Sequence, residues 1–217
     1  MQLPKLVSIV LIVLCLHPPV QGQSTRTYRP DWAIKFNPLA VLAHTPGIEF
    51  GLEHTISENA SIHLGGSYLS DFGILPNKNF DGYKLIGEYR WYHVFKRKYP
   101  NTFLAFQFNL KRVIAEGQTY LDRANGNYQQ LTEVKVVNTS LDFLGAYGQV
   151  LPFTPRLSLD VLVAVGAKRL SVASDDVAPD AVFGLFNNNI FDFTVNSLGS
   201  EWYPLFRLQF KLNVELF

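Results

Sequence analysis

The chain has one cysteine, Cys15, close to its start. An intramolecular disulfide is therefore excluded, and with it any multi-thiolate metal site. Charge of one sign is also lacking: 19 Lys and Arg against 18 Asp and Glu give a net charge of +1. The basic excess that nucleic-acid binding requires is absent, so nucleic acid is not an expected partner. Past the first residues, no apolar run approaches the ~20 residues of a membrane-spanning helix. Metal-ligand spacing is missing too. His44, His54 and His93 are scattered, and Asp175-Asp176 with Asp180 does not follow the calcium-loop pattern. No metal or cofactor is expected.

What is abundant is hydrophobic and aromatic side chain, 47% and 14% of the residues. Some of it lies at the start, where Lys5 precedes an apolar stretch from Leu6 to Leu16 and the helix-breaking His17-Pro18-Pro19. That order is the one expected of a secretory signal peptide, with cleavage after Gly22. The expected organisation is a cleaved segment over 1–22 and one domain over 23–217. Cys15 then leaves with the signal.

The rest alternates. From Phe206 the even positions read Phe206, Leu208, Phe210, Leu212, Val214 and Leu216, and the odd ones Arg207, Gln209, Lys211, Asn213 and Glu215. Successive side chains of a strand point to opposite faces, so one face is apolar and the other polar. The same pattern runs through Ile48–Glu53, Ser61–Tyr68, Tyr83–Trp91, Leu104–Lys111 and Leu157–Val165. Weaker versions span Trp32–Leu42 and Val137–Val150, giving eight candidate strands. Connections alternate in length. Ser57-Glu58-Asn59, His93–Asn101 and Leu151–Arg156 are short, whereas Ser70–Phe80, Gly117–Thr132 and Val172–Tyr203 are long. An exported eight-stranded barrel with both termini in the periplasm has that order of turns and outer loops, and only the first outer link, Ala43 to Pro46, is brief. The expectation is an all-β, closed, up-and-down antiparallel transmembrane β-barrel.

In such a barrel the apolar faces turn to lipid and the polar faces inward. The inward set is expected to hold Lys35, Lys84, Arg90, Lys111, Lys168, Arg207 and Lys211 against Glu49, Glu53, Glu88, Asp142, Asp160 and Glu215. An eight-stranded interior is narrow enough to be filled by side chains, and unpaired buried ions are costly. The lumen should therefore be plugged by paired charges. Trp32, Tyr68, Tyr92, Trp202 and Tyr203 near strand ends are candidates for interfacial girdles. Phe217 supplies a terminal aromatic out of phase with Leu216, which calls for a bend or bulge.

Lys35-Phe36-Asn37-Pro38-Leu39, Gly47-Ile48-Glu49-Phe50-Gly51 and Glu88-Tyr89-Arg90-Trp91-Tyr92 resemble the small outer-membrane barrels of unknown function whose first strand reads K-x-N-P-L. The resemblance covers about the first half of the chain after the signal. It implies a fold and a location, with outer-membrane lipid and lipopolysaccharide as surroundings and the barrel-assembly machinery as a partner in biogenesis. It implies no activity.

One candidate remains for chemistry: His63, with Ser61 and Ser67 on the same face. It motivates the alternative of a lipid-modifying barrel enzyme acting on lipid A. A structural histidine is the plainer reading, because no acidic partner accompanies it in the motif. Phe183, Phe186, Phe191 and Phe193 crowd the last outer loop and suggest a hairpin lying on the barrel rim. Lys96-Arg97-Lys98 falls in a short turn, as a solvated run or a contact for anionic headgroups. The leading expectation is a non-enzymatic envelope barrel, structural or displaying its loops. A soluble, exported lipocalin-like barrel, its apolar faces lining a cavity, is the remaining alternative.

Overall fold

The computed structural model describes residues 31–42, 46–70, 79–92, 101–123, 128–174, 182–183 and 199–216. The expected signal segment, His44, His93, Lys96-Arg97-Lys98, Asp175-Asp176, Asp180, Phe186, Phe191, Phe193 and Phe217 lie outside the described residues.

Among the described residues nine strands run in chain order: β1 (Trp32–Asn37), β2 (Gly47–Ser57), β3 (Ala60–Ser70), β4 (Asn79–Tyr92), β5 (Thr102–Arg123), β6 (Tyr128–Pro152), β7 (Leu157–Ala173), β8 (Val182–Phe183) and β9 (Gly199–Glu215). Each long strand pairs antiparallel with its neighbour in sequence. The ring closes where β1 meets β9, from Ala33 opposite Glu215 to Phe36 opposite Leu212. β8 stands outside the ring, so eight strands form the barrel. It is two residues long and pairs with Leu121 and Asp122 of β5, which puts Phe183 beside the far end of that strand.

Three boundaries differ from the sequence expectation, one of them at the link expected over Val172–Tyr203, where β7 runs on to Ala173 and β9 already begins at Gly199. Alternation suggests a first strand out to Leu42, but β1 stops at Asn37 and Pro38–Leu42 form a 3-10 turn. Asn37 accounts for the stop: its Oδ1 accepts from the Leu39 amide at 3.2 Å, and Pro38 brings no amide hydrogen to a ladder. Gly117–Thr132, expected as an outer loop, is mostly strand. β5 and β6 remain paired from Gly117 opposite Val134 to Arg123 opposite Tyr128. β4 leaves β5 at Asn79 opposite Glu116. The hairpin overhangs that point by seven residues, about 23 Å at strand rise.

The tight turn at Glu58-Asn59 and the bends at 153–156 mark one end, and the overhang marks the other. Large apolar side chains point outward and are exposed, Phe50 at 54%, Leu64 at 64%, Phe106 at 58% and Phe206 at 61% among them. Lys35, Glu53, Arg90 and Asp160 are buried at 2% or less. The arrangement of a lipocalin, with apolar faces lining a cavity, is thus inverted. Outward-facing charges bracket the apolar belt: Asp31, Glu58 and Arg156 at the short-turn end, and Asp81, Arg112, Glu116, Lys135 and Arg169 at the other.

Candidate functional site

The inward phase of every strand meets in the lumen, and the charged residues there form two groups. The lower group lies toward the short turns. Lys35 on β1 donates from Nζ to Asp160 on β7 at 2.6 Å and ion-pairs with Glu53 on β2 at 2.5 Å. Arg90 on β4 donates from Nη1 to Asp160 at 2.5 Å and from Nε to Glu88, and lies 3.5 Å from Glu53. Lys211 on β9 donates to Glu88 at 2.8 Å. Three cations thus face three carboxylates, all buried.

Neutral donors complete the coordination. Tyr92 and Ser61 hydroxyls donate to Glu53, Gln107 donates to Glu88 at 2.7 Å, and Asn213 donates to Asp160 at 2.5 Å. The Arg90 guanidinium also lies over the Phe103 ring, 4.3 Å from its centroid. These contacts join strands far apart in the chain; Lys35 and Asp160 are 125 residues apart. Removing two ions from water costs several kcal/mol per ion, so this network does not by itself argue for great stability. Its geometric result is a closed centre.

The upper group lies toward the overhang. Lys84 donates to Glu49 at 2.7 Å, Asn37 donates to Glu49 at 3.3 Å, and Arg207 donates to Asp142 at 2.7 Å. Lys111 and Lys168 are half-buried on the inward phase of β5 and β7. Glu215 is also inward but sits beside Ala33 at the short-turn end. The three sequence motifs acquire a physical meaning here. Lys35 and Asn37, Glu49 and Gly51, and Glu88, Arg90 and Tyr92 are their inward members. Gly51 leaves room for His63: a Cβ there would lie 2.1 Å from the imidazole Nε2.

Charge is not the whole plug. Tyr92, Phe103, Leu144, Val150 and Leu162 form a buried apolar cluster inside the ring, and Leu69, Phe80 and Val113 form another nearer the overhang. Apolar side chains thus share the interior with the ion pairs. Tyr92 is corrected: it is 8% exposed inside the lumen, not in an outer girdle. Tyr203 lies on the inward phase with Leu205 and Arg207, its hydroxyl donating to Glu201. Trp32, Tyr68 and Trp202 do face outward. Counting by twos from Arg90 reaches Tyr92, and back from Gln107 reaches Phe103, so a strict phase count finds what residue type conceals.

His63 is 2% exposed, with Nδ1 3.8 Å from Glu88. Ser61 is engaged by Glu53, and Ser67 donates a long 3.5 Å bond to the Tyr68 carbonyl. No Ser–His hydrogen bond forms among the described residues, so the geometry lacks an activated nucleophile. His54 stacks on Trp32 with ring centroids 4.0 Å apart. Among the described residues no group of His, Asp and Glu is arranged to hold a metal ion.

Comparison with protein-family models, curated proteins and solved structures finds no match to this chain.

Proposed function

We propose that this chain is a non-enzymatic outer-membrane β-barrel of a Gram-negative envelope, akin to the K-x-N-P-L barrels, with a lumen closed to solute flow and the β5–β6 overhang and outer loops as its exposed part. The observation that carries the reading is the inverted barrel: buried ions within and a charge-free apolar belt without. On β4 the belt runs from Tyr83 to Trp91, about 27 Å along the strand and roughly 20 Å along the axis after tilting, close to the apolar band of a membrane barrel. In water such an exterior would be a large aggregation-prone patch. Lipopolysaccharide and phospholipid are its natural covering, and the barrel-assembly machinery its route into the membrane.

Fractionation tests location. The chain should stay with outer membranes after carbonate washing and need detergent for release; recovery from the soluble periplasm would overturn the reading. Closure is tested separately in planar bilayers, where little or no current is expected and open-pore conductance of nanosiemens size would contradict a plugged lumen. A lipid-modifying activity is tested by His63→Ala, which should leave the cell's lipid A profile unchanged.

A further inference from the structure

The outward-facing charges at the overhang end are unevenly distributed around the ring. On β4, Asp81 accepts a hydrogen bond from the Tyr68 hydroxyl at 2.9 Å, and on the overhang Lys135 pairs with Glu116 at 2.6 Å. That leaves Arg112 on β5 and Arg169 on β7, both exposed at the edge of the apolar belt. Arg112 has no ion-pair partner among the described residues. Arg169 donates from Nε to the Ser200 hydroxyl at 2.9 Å, a neutral contact, and meets no carboxylate among the described residues.

Register puts these two arginines on either side of β6. Arg112 lies opposite Thr139 and Arg169 opposite Leu141, so their Cα atoms are two strands and two residues apart, about 12 Å. What lies beneath them is apolar. Two residues below Arg169 on the same face is Ala167, opposite Phe143 on β6 and Pro204 on β9. The small alanine lets the rings of Phe143 and of Trp202, the cross-strand partner of Arg169, converge across β7 with centroids 6.3 Å apart. Phe108 adds a third ring 5.3 Å from Phe143. Further down β6 comes Gly145, between the exposed side chains of Phe106 and Val165. Nothing lies within 4 Å of where a Cβ of Gly145 would be. The face therefore carries cations at its rim, an aromatic shelf below them, and a gap among apolar side chains below that.

We infer that this β5–β7 face seats a phosphorylated lipid, its headgroup phosphates held by Arg112 and Arg169 and its acyl chains lying against the aromatic shelf and the Gly145 gap. Guanidinium forks hold phosphate oxygens two at a time, which suits exposed arginines at the edge of hydrocarbon. Phosphate free in solution would gain nothing from the apolar part of the face, so the phosphate is lipid-borne. The inference rests on the outer-membrane reading and adds to it a lipid class and a side of the barrel.

The test uses the full chain refolded in zwitterionic detergent and titrated with lipid A, the lipid adducts being counted by native mass spectrometry. Phosphorylated lipid A should bind saturably, dephosphorylated lipid A far more weakly, and inorganic phosphate should not displace the lipid. Arg112→Gln and Arg169→Gln should each weaken binding of the phosphorylated form about fivefold, the contribution of one basic side chain at an anionic lipid surface. Together they should weaken it about 25-fold, since well-separated sites add. Arg156→Gln, exposed at the short-turn end, should leave binding unchanged. Equal affinity for the two forms of lipid A, displacement by inorganic phosphate, full affinity in the double variant, or an equal loss in Arg156→Gln would overturn the inference. Any of these with the native chain still in the carbonate-washed outer membranes sinks the lipid site alone, whereas recovery from the soluble periplasm removes the reading on which the site rests.

Discussion

Arg90 is the residue whose loss most directly tests the packing of the lumen. It is 0% exposed and meets Glu88, Glu53 and Asp160 at once. Replacing it with alanine leaves Lys35 and Lys211 to face those three carboxylates, one buried negative charge without a counter-ion. It also removes the guanidinium from the Phe103 ring. Breaking one partner out of a buried network costs about 3–5 kcal/mol, because the surviving charge keeps its desolvation penalty. Asp160 loses a direct bond yet keeps Lys35 and Asn213, which places the expected loss near the lower end, about 3 kcal/mol. The assay is reversible urea unfolding of the refolded barrel in lipid vesicles, followed by tryptophan fluorescence. Arg90→Leu combined with Asp160→Asn should recover part of the loss, since it restores charge balance, whereas the two single changes should each be worse than the pair. An Arg90→Ala barrel that loses less than about 1 kcal/mol, the range of an exposed ion pair, would refute a water-excluded network at the centre.

Glycines give an internal comparison. A Cβ at Gly51 would lie 2.1 Å from His63 Nε2 and one at Gly148 would lie 2.4 Å from the Phe103 ring, so Gly51→Ala and Gly148→Ala should each cost about 1–3 kcal/mol in the same unfolding assay. At Gly145 nothing lies within 4 Å and at Gly87 the nearest atom is 4.0 Å away, so alanine there should be neutral or slightly stabilising. On the outer belt, Leu64→Arg should cost about 2–4 kcal/mol in a bilayer, measured against a same-site Leu64→Ala. An equal cost for the two would argue that this face does not meet hydrocarbon.

The faces of the strands are legible in the sequence. Glu49 and Glu53, Glu88 and Arg90, and Lys211 and Asn213 are two apart, so a pleated backbone must turn each pair the same way. Where the environment is uniform on each side, as along Phe206–Leu216, alternation is complete and the inward set is read correctly. It misleads at Tyr92, where residue type disagrees with phase, and on the β5–β6 overhang, where strand pairing continues past the barrel. The short first strand was overread because Pro38 to Leu42 keeps an apolar character that a 3-10 turn also accommodates.

The alternation along the chain is enough to say which side chains share a face, that eight strands are present and that turns fall at Glu58-Asn59 and 153–156, because a period of two is a local property of the backbone. That Lys35 reaches Asp160, that Arg90 gathers three carboxylates and that Lys84 stands opposite Lys111 emerges from the folded ring alone. Those pairings depend on strand register and on closure of the ring. Both are fixed by how the whole sheet curls and by what fits inside it, and neither is encoded in the spacing of residues along one strand.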